Sequence, residues 1–456
     1  MIPVVTPEEM SAIDRAAPEP FDVLVERAGA AVARAALKLL GGAYGRRVVV
    51  VAGKGGNGAD GRAAARRLER RGVRCLVFDA AAVGDGLPAC DLVVDAAYGT
   101  GFRGAWQCPR PAASTPVLAV DIPSAVSGLT GVASGRPLAA HRTVTFAALK
   151  PGLLLGEGAD LAGDVEVADI GLDASAATAG LVGVTDVAGW LPDPPRSSHK
   201  WKAAVWLVAG SPGMTGAAHL AARAAFRAGA GYVRLSSPGV ADDPGRPVEA
   251  VGVALPGKGW AADVAEGAGR FGAVAVGPGL GLGDGVRHDI ADLLRRLPDT
   301  PVVVDGDGLS ALSLTPDPAA LLAGRAAPTI LTPHDGEAAR LGADTDDPDR
   351  LGTTRALAAR LGAIVLRKGS TTIVAEPGGR AWFSTTGDAR LATAGTGDVL
   401  TGVIAALLAS GLPGPEAAAA GAFIHGRAGA LGWPRGLVAG DLVELLPAVL
   451  AGLRRA

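Results

Sequence analysis

Two stretches indicate the fold class most directly: "RRVVVVAGKGGNGADGRAAARRLERRG" at residues 46–72 and "AVWLVAGSPGMTGAAHLAARAAFRAGAG" at residues 204–231. Each begins with a short apolar run, continues through a glycine-rich turn and ends in a segment predicted to be helical. This order is typical of the strand, turn and helix that open an α/β fold. Because the chain has 456 residues, more than one ordinary domain needs, the two stretches predict two α/β domains.

Further apolar segments follow each opening at the spacing of alternating strands and helices. They begin near residues 75, 91, 116 and 143 in the first half, and near residues 272, 301, 329 and 363 in the second half. Continuous apolar strands are typical of parallel sheets that helices cover on both faces. Almost every one of these segments ends in Gly, Asp, Asn, Thr or His. Since ligands in open α/β sheets bind at the carboxyl ends of the strands, we expect a small-molecule site in each half.

The stretch "GWLPDPPRSSHKWK" at residues 189–202 is the predicted domain boundary. Its prolines and serines interrupt the periodic pattern, as linkers do. The predicted domains are therefore residues 1–188 and 189–456. Residues 6–40 are predicted to form two helices that pack on the sheet of the first domain.

The overall composition predicts a soluble globular protein. The charge is nearly balanced, with 43 basic and 45 acidic side chains, and no basic stripe indicates a nucleic acid or a membrane surface as partner. The three cysteines, Cys75, Cys90 and Cys108, form no CxxC pair, which favours neither a disulfide framework nor a zinc site. No signal-peptide pattern and no apolar run of about 18 residues is present, so we expect a cytoplasmic protein.

The segment "AGTGDVLTG" at residues 394–402 predicts an anion site at a helix N-terminus. The N–H groups of Gly395, Thr396 and Gly397 would point at a phosphate and the helix dipole would attract it. A carboxylate beside a phosphate is repulsive, so Asp398 is tolerable there if it takes a proton from a hydroxyl that attacks the phosphoryl group. The alternative is that Asp398 is a helix N-cap.

Three other segments of the second half carry polar residues at strand ends. "LRKGSTTIV" at residues 366–374 fits either a nucleotide contact through Lys368 and Gly369 or a polar hairpin turn. "TPHDGEAARLG" at residues 332–342 places His334 and Glu337 at a junction of strand and helix, where such a histidine is more often structural. "GPGLG" at residues 277–281 fits a close backbone approach or a plain loop.

Three strand ends in the first half carry a similar pattern. "AGKGGNGADG" at residues 52–61 contains Asn57 and Asp60 in a glycine-rich turn that could hold a pyrophosphate. "VVDAAYGTGFRGA" adds Asp95, and "AVDIPS" adds Asp121 and Ser124. Each could be a turn cap, but three at successive strand ends favour one shared pocket.

Residues 199–453 resemble the ADP-dependent NAD(P)H-hydrate dehydratases, a branch of the ribokinase-like fold. The matching motifs occur in the same order: "GSPGMTGAAHLAARAAFRAGAG", "GPGLG", "VVVDGDGLSAL", "LTPHDGEAARLG", "RKGSTT" and "AGTGDVLTGVIAALLASG". The family restores NADH and NADPH whose nicotinamide ring has been hydrated, using a nucleotide to eliminate the added water. The resemblance implies ADP as co-substrate, with a magnesium ion that neutralises phosphoryl charge.

The resemblance also implies roles for the matched positions. Asp398 would be the base on the hydroxyl of the hydrate. The nucleotide would contact residues 388–397 and the following residues: Lys368, Gly369, Ser370, Thr371, Thr372, Gly395, Thr396 and Gly397. The hydrate would contact the loop through Arg340 together with Ala217, Gly279, Gly281, His334, Gly336 and Glu337. Asp335 stands where the family usually has proline, which places a further negative charge near an anionic ligand.

Residues 6–171 are similar to the NAD(P)H-hydrate epimerase domain, which has a Rossmann-like fold and is often fused to the dehydratase. The matching motifs are "TPEEMSAIDRAA", "VERAG", "GKGGNGADG", "DAAYGTG", "VDIPS" and "TVTFAALKPGLLLGEG". The resemblance implies a potassium ion held by Asn57, Asp95 and Ser124. It implies that the hydrate contacts Gly56, Asn57, Gly58, Ala59, Asp60, Gly99, Thr100, Gly101 and Asp121, with Asp121 moving protons at the epimerised carbon. Lys150 would contact an anionic part of the substrate or only close a strand.

The first half departs from the family pattern at three positions of these loops. Gly56 replaces an asparagine, Ala59 replaces a glycine and Ala125 replaces the glycine usually found after Ser124. Ala125 adds a Cβ atom where a positive φ is expected.

The sequence therefore predicts two αβα domains, an N-terminal Rossmann-like three-layer domain and a C-terminal ribokinase-like domain. We expect a bifunctional enzyme that interconverts the R and S hydrates of NAD(P)H and dehydrates the S form with ADP. Its expected partners are these small molecules and further copies of the same chain. The alternatives are a ribokinase-like kinase for a vitamin hydroxymethyl group, and an N-terminal half that is only a binding or oligomerisation module.

Overall fold

The computed structural model describes residues 1–112 and 114–454, and both glycine-rich stretches quoted above form a strand, a turn and a helix. The chain divides into two units. The N-terminal unit is Ile2–Ala179 with Pro348–Arg350, and the C-terminal unit is Gly180–Asp347 and the chain from Leu351 onward, with Met1. The second unit thus begins ahead of the proline-rich stretch at which the sequence analysis divides the chain.

The N-terminal unit alternates strands and helices in the predicted manner. Its elements in chain order are β1 (Ile2–Val4), α1 (Pro7–Ala16), α2 (Phe21–Leu40), β2 (Arg47–Ala52), α3 (Gly56–Glu69), β3 (Arg74–Asp79), β4 (Leu92–Ala96), β5 (Trp106–Gln107), β6 (Val117–Val120), β7 (Gly135–Arg136), β8 (Arg142–Phe146), α4 (Gly156–Leu161) and β9 (Asp164–Ala168), with a 3₁₀ turn at Pro151–Leu153.

The sheet of the N-terminal unit is parallel, with strand order β3-β2-β4-β6-β8-β9. The valines of β2 explain its position between two other strands. Val48 and Val50 pack into the core formed with α2, whereas Val49 and Val51 pack into the core on the other face. A strand buried on both faces must be apolar throughout, which confirms the interpretation of the apolar run. The strand order reverses between β2 and β4, and a ligand crevice is expected there.

The C-terminal unit contains the remaining elements. They are β10 (Ala179–Leu181), α5 (Val184–Trp190), β11 (Ala204–Val208), α6 (Thr215–Arg227), β12 (Tyr232–Ser236), β13 (Val251–Gly252), α7 (Ala261–Gly267), β14 (Ala273–Val276), α8 (Asp284–Arg296), β15 (Val302–Val304), α9 (Asp307–Ser313), α10 (Pro318–Ala323), β16 (Thr329–Leu331), α11 (Asp335–Arg340), α12 (Arg350–Leu361), β17 (Ile364–Arg367), β18 (Thr372–Ala375), β19 (Ala381–Ser384), α13 (Thr396–Ala409), α14 (Gly414–Leu431) and α15 (Ala439–Leu453), with 3₁₀ turns at Lys200–Ala203, Ala268–Arg270 and Ala389–Leu391.

The sheet of the C-terminal unit follows the order β10-β19-β18-β17-β16-β15-β14-β11-β12-β13. The strands from β13 to β17 are parallel, and β17, β18 and β19 are joined as antiparallel neighbours. The carboxyl ends of the parallel strands therefore meet at one edge. The segment after β17 is the hairpin turn that the sequence analysis kept as an alternative.

Helix α13 lies inside the C-terminal unit. All of its residues from Val399 to Ala409 are buried, and they pack against α6, α14 and the sheet. Burial on every side explains why the helix is apolar all round. Within the described parts of the chain, no helix combines the length and the apolar character that crossing a membrane requires.

Candidate functional site

The C-terminal unit brings Lys368, Asp305 and the start of α13 to one point at the carboxyl edge of its sheet. Lys368 follows β17 and Asp305 follows β15, and Nζ of Lys368 lies 2.8 Å from Oδ1 of Asp305. A Cβ atom at Gly397 would lie 3.6 Å from Nζ of Lys368 and 3.8 Å from Oδ2 of Asp305. The first turn of α13 therefore faces this ion pair directly.

Asp305 is a buried carboxylate that is fully hydrogen-bonded. Thr332 Oγ1 donates to its Oδ1 and Thr401 Oγ1 donates to its Oδ2, each at 2.7 Å. Burial alone would raise the pKa of Asp305, but the charge of Lys368 and these hydrogen bonds hold its pKa below the ordinary value. Asp305 is thus a permanently charged anchor for Lys368.

Asp398 lies in the first turn of α13 in a different environment. Burial and the charge of Asp305, opposed by the charge of Lys368, together raise the pKa of Asp398 to about 7. A carboxyl group with a pKa near neutrality can exist as a base and can also hold the proton that it takes. These are the properties of a general base rather than of a structural ion pair.

The N-terminus of α13 is formed by backbone, and the interpretation of Asp398 as its N-cap is wrong. The N-cap is Gly395, which has a φ of 89° and makes no side-chain cap. The side chain of Thr396 bonds to carbonyls of the preceding loop, and its own carbonyl accepts a hydrogen bond from Nε2 of His425 at 2.9 Å. Burial lowers the pKa of His425 to about 4, so the ring is neutral and donates this hydrogen bond. N–H groups in the first turn have no partner within a helix, so they can bind an anion.

His334 has the structural role that the sequence analysis weighed against ligand binding. It is the N-cap of α11, where its Nδ1 accepts from the N–H of Glu337 and its own N–H donates to Oε2 of Glu337 at 2.9 Å. Its imidazole side chain is 58% exposed, so it can also face a ligand. Gly336 lies under the ring of His334. Oε2 of Glu337 is 3.8 Å from Nζ of Lys368, which connects this turn to the Asp305 pair.

The loop at residues 277–281 packs against the start of α6, as a hydrate site formed by both would require. A Cβ atom at Gly279 would lie 3.2 Å from Cβ of Ala217. The N–H of Gly281 donates to Oδ2 of Asp307 at 2.7 Å. Asp307 also contributes to the raised pKa of Asp398, so this loop lies within electrostatic range of the proposed base.

The predicted nucleotide segments after β17 and before α13 are neighbours. The structure places Gly369, Ser370 and Thr371 at the turn between β17 and β18, and Thr372 is the first residue of β18. A Cβ atom at Gly387 would lie 3.8 Å from the carbonyl oxygen of Ser370. Residues 368–372 and the segment leading to α13 thus border the same edge.

Asp335 does not add an uncompensated charge to this edge, which corrects the expectation from sequence. Nε of Arg367 lies 2.7 Å from Oδ1 of Asp335, and the same guanidinium donates to Oγ1 of Thr353 at 2.8 Å. Arg367 is buried at the end of β17. A buried guanidinium needs a partner, so Asp335 joins α11 to the strand next to Lys368.

The N-terminal unit contains a cavity of about 740 Å³ at the crevice between β2 and β4. Seven of the predicted site residues line it: Gly56, Asn57, Asp60, Gly99, Thr100, Gly101 and Asp121. The shared pocket inferred from the three strand ends is therefore present. Its walls also include Phe21 and Tyr98.

Gly58 and Ala59 are placed differently from these seven residues. A Cβ atom at Gly58 would lie 1.9 Å from the carbonyl oxygen of Gly53, so Gly58 allows α3 to start directly against β2. Ala59 lines a shallow depression beside α2. Both residues shape the turn, and the cavity wall is formed by their neighbours.

Asp121 is held by Lys150 at the wall of this cavity. Nζ of Lys150 lies 2.8 Å from Oδ1 of Asp121, and Oγ1 of Thr145 donates to the same oxygen at 3.1 Å. Burial would raise the pKa of Asp121, but Lys150 and the hydrogen bonds keep its pKa below the ordinary value. A Cβ atom at Gly99 would lie 3.0 Å from Oδ2 of Asp121 and 3.5 Å from Cβ of Asn57, so the three strand ends converge here. Lys150 is thus a partner of Asp121 within the protein.

Asp60 faces the same cavity and has the opposite protonation behaviour. Burial, together with the charges of Asp121 and Asp14, raises the pKa of Asp60 to about 8. Burial also raises the pKa of Asp14, which lines the cavity from α1. The cavity therefore combines an ionised carboxylate with a protonated one at neutral pH.

Of the three residues expected to hold potassium, Asp95 and Ser124 are joined by hydrogen bonds, and Asn57 lines the cavity. Ser124 Oγ donates to Oδ1 of Asp95 at 2.6 Å, and the N–H of Ser124 donates to Oδ2 at 2.9 Å. Burial raises the pKa of Asp95. Both amide atoms of Asn57 are buried without a hydrogen-bond partner. The unpartnered amide of Asn57 and the buried carboxyl group of Asp95, which forms no ion pair with a Lys or Arg side chain among the described residues, fit a bound monovalent ion. In residues 1–112 and 114–454, no group of three His, Cys, Asp and Glu side chains could hold a metal.

Ala125 adopts the positive φ that its position in the family pattern suggested. Its φ is 72°, and Asp121 and Ala147 of the same unit also have positive φ values, 67° and 61°. Side chains with a Cβ atom rarely adopt this region, and such strain concentrates at functional sites. Ser124, the residue before this alanine, makes hydrogen bonds to Asp95 through both its N–H and its hydroxyl group.

Sequence reasoning missed several residues of these sites. Asp305 follows the apolar run at residues 302–304, and an acidic residue directly after a buried strand was an available signal. Asp14 and His425 gave no such signal, because each lies within a helix and reaches its site only through tertiary packing.

Comparison with known proteins identifies the chain. Residues 205–446 match the family model described as NAD(P)H-hydrate dehydratase, and residues 21–87 and 79–152 match that of the YjeF-related protein N-terminus. The bifunctional NAD(P)H-hydrate repair enzyme Nnr of Mycobacterium leprae (strain TN) is 39% identical over 90% of this chain and 90% of its own. The Nnr of Moorella thermoacetica is 36% identical over 99% of this chain and 97% of its own.

The fold of the C-terminal unit has a counterpart among solved structures. A ribokinase-like superfamily protein from Enterococcus faecalis V583 matches with a TM-score of 0.54 and 22% identity, covering 61% of this chain and 98% of that protein. The C-terminal unit is therefore ribokinase-like, as predicted. Together with the two relatives that span nearly its whole length, these matches show that the chain belongs to the family of bifunctional NAD(P)H-hydrate repair enzymes.

Proposed function

We propose that this chain repairs hydrated NADH and NADPH in two steps. Residues 1–188 interconvert the R and S hydrates, and residues 189–456 dehydrate the S form with ADP, which yields NAD(P)H, AMP and phosphate. The observation that supports this most strongly is the position of Asp398. Its carboxyl group has a pKa of about 7 and lies at the anion-binding end of α13 beside Lys368.

The dehydratase step follows from this arrangement. ADP would bind as its magnesium complex, with the transferred phosphoryl group at the N–H groups of Thr396 and Gly397 and near Lys368. Asp398 takes the proton of the ring hydroxyl, whose oxygen attacks the β-phosphorus and displaces AMP. The lone pair of the ring nitrogen then expels phosphate, and loss of a proton restores the dihydronicotinamide. Lys368 stays charged because Asp305 and Glu337 raise its pKa against the effect of burial.

The epimerase step uses the two carboxyl groups of the N-terminal cavity. Asp60 donates its proton to the ring hydroxyl, so that the ring nitrogen can expel water. Water adds to the opposite face of the ring, and Asp121 takes the proton that this water loses. Asp121 then passes its proton to solvent and solvent returns a proton to Asp60, so that both groups regain their starting states. The pKa values of the two groups are displaced in opposite directions, as an acid and base pair requires.

We infer that potassium binds at Asn57, Asp95 and Ser124. The support is that the buried amide of Asn57 has no hydrogen-bond partner, and that the buried Asp95 has no Lys or Arg partner among the described residues. A bound potassium ion would supply positive charge to Asp95. The residues of this cluster themselves orient the loops that carry Asp121 and Gly99.

We also propose that the chain acts as a homo-oligomer. Leu431, Trp433 and Val438 are more than half exposed within one short stretch of the C-terminal unit. An exposed apolar patch of this kind is typical of a surface that a second copy covers. Light scattering after size exclusion tests this, and a monomer at micromolar concentration would contradict it.

The decisive test of the function is the fate of the nucleotide. Enzyme incubated with NADH hydrate and ADP should regenerate the absorbance of NADH and release one AMP and one phosphate per NADH. A ribokinase-like kinase would instead accumulate a stable phosphorylated product without NADH. That outcome would replace the proposal by the kinase alternative.

A further inference from the structure

The cavity of the N-terminal unit extends past the predicted site residues to the end of β3. Asp79, Ala80 and Ala81 line it there. Asp79 is the last residue of β3 and is paired in register with Ala52, the last residue of β2. The carboxylate of Asp79 thus stands beside the glycine-rich turn on the side away from Asp121.

The strand order gives the distance that the cavity covers. Asp79 ends β3 and Asp121 follows β6, and the order β3-β2-β4-β6 places three strand spacings between them. At about 4.8 Å per spacing, the two side chains start about 14 Å apart. A dinucleotide with its pyrophosphate at the N-terminus of α3 and its hydrated ring at Asp121 then has its adenosine ribose at the end of β3.

The surroundings of Asp79 suit a ribose hydroxyl. Its Oδ1 accepts the N–H of Ala81 at 2.9 Å, which orients the carboxylate. In the part of the chain that the structure describes, this is the only hydrogen bond of the Asp79 carboxylate, so lone pairs remain for a ligand. A carboxylate accepts hydrogen bonds from the 2′ and 3′ hydroxyl groups of a ribose and repels a 2′-phosphate.

We propose that Asp79 makes the N-terminal unit select hydrated NADH over hydrated NADPH. This inference rests on the proposed epimerase function and names its substrate. Two cationic residues also line the cavity, Lys54 in the glycine-rich turn and Arg103 after the turn that carries Gly99. Both belong to loops at the centre of the crevice, where the pyrophosphate lies, and not to β3.

The test measures epimerisation alone, in the full chain without ADP. Pure (R)-NADH hydrate and (R)-NADPH hydrate are incubated separately, and the S forms are quantified by chromatography after subtraction of the spontaneous rate. Wild type should show a kcat/KM about tenfold or more in favour of NADH hydrate. Asp79→Asn should raise kcat/KM for NADPH hydrate about tenfold and change that for NADH hydrate less than threefold.

Asp85→Asn is the matched control, because Asp85 is exposed, follows β3 by a few residues and is not part of the cavity wall. It removes the same charge and should leave the preference unchanged. Equal use of both hydrates by wild type, a preference for NADPH hydrate, or an unchanged preference in Asp79→Asn would each overturn the inference.

If neither hydrate is epimerised, the proposed epimerase function is contradicted instead. The role of Asp79 is then tested by comparing the binding of NADH and NADPH. The dissociation constants of NADH and NADPH are measured for wild type, Asp79→Asn and Asp85→Asn. Tighter NADPH binding in Asp79→Asn alone supports the inference. Equal ratios in all three proteins reject it.

Discussion

Asp305 and Asp398 show how neighbouring carboxyl groups at one sheet edge acquire different roles. Asp305 accepts hydrogen bonds from two threonines and from Lys368, and its pKa is lowered. Asp398 is also buried, but it lies near Asp305 and its pKa is raised to about 7. Lys368 stabilises the ionised form of Asp305, whereas Asp398 can take up and release a proton near neutral pH.

Replacement of Asp398 by Asn should remove the base and keep the site. We expect dehydration of the S hydrate to fall by about 10²–10⁴, the contribution of a positioned general base. Because Asp398 lies in repulsive proximity to Asp305, stability and ADP affinity should be retained. Steady-state kinetics, thermal unfolding and calorimetry with ADP measure the three quantities. Asp284→Asn, an almost fully exposed Asp of the same unit, is the control, and near-normal turnover in Asp398→Asn would reject the assignment.

The two halves should respond to pH in opposite directions. Asp398 acts deprotonated, so kcat/KM for dehydration should increase as pH rises through about 7. Asp60 acts protonated, so kcat/KM for epimerisation should decrease as pH rises through about 8. Profiles from pH 6 to about pH 9 with separate assays check this, after correction for spontaneous epimerisation. Parallel profiles for the two reactions would contradict the assignment of at least one group.

Individual site residues were predictable where a polar residue follows an apolar strand directly. Asp121 and Asp95 have this pattern, and the structure places each at its strand end. The partner of Asp121 was not predictable, because Lys150 follows the next strand and approaches Asp121 only when β6 and β8 pair. The pKa values depend on such partners and on burial, which a sequence does not specify.

At the scale of elements, the N-terminus of α13 is the feature that sequence described best. Its glycine-rich start and its apolar body both have the predicted form. The contribution of α14 was not predictable, since His425 reaches the carbonyl of Thr396 from the next helix, 29 residues later, only when the two helices pack. The hairpin of β17 and β18 was kept as an alternative because the polar turn after Arg367 fits both a hairpin and a ligand loop.

A substitution in this first turn tests whether it binds phosphate. Gly397→Val places a side chain at van der Waals distance from Lys368 and Asp305, in the space that the phosphate would occupy. Valine is acceptable in a helix, so stability should change by less than about 1 kcal/mol. ADP affinity, measured by calorimetry, should fall at least about tenfold because the side chain prevents close approach of the phosphate.

The matched control is Gly189→Val, an exposed helical glycine of α5 with no neighbour within 4 Å of the added atom. It should leave ADP affinity unchanged. Unchanged affinity in Gly397→Val as well would move the phosphate site away from α13.

At the scale of the whole chain, two α/β units with parallel sheets follow from two glycine-rich openings and from runs of buried strands. Strand β12 was not predicted, because Arg234 interrupts its apolar run and is accommodated by packing against the rings of Trp206 and Phe271. Strand β9 was missed because its first four residues are not buried, so its sequence lacks the continuous apolar run. Edge strands of this kind have no strong sequence signal.

The last prediction concerns the cooperation of both reactions in one chain. With a mixture of R and S NADH hydrates and ADP, wild type should consume the S form quickly and the R form at the rate of epimerisation. Asp121→Asn should slow consumption of the R form to the spontaneous rate and leave that of the S form unchanged. Asn in place of Asp121 leaves Lys150 with a weaker partner, so thermal unfolding must accompany the assay.

Asp60→Asn supplies the variant that should fold normally, because Asn resembles the protonated carboxyl group that Asp60 carries at neutral pH. The amide cannot release a proton, so epimerisation should again fall to the spontaneous rate while dehydration persists. If both folded variants consume the R form as fast as wild type, the N-terminal cavity performs no epimerisation and the unit is a binding module. If only Asp121→Asn is slow, Asp121 is the acid and the base in turn, and Asp60 only contacts the substrate.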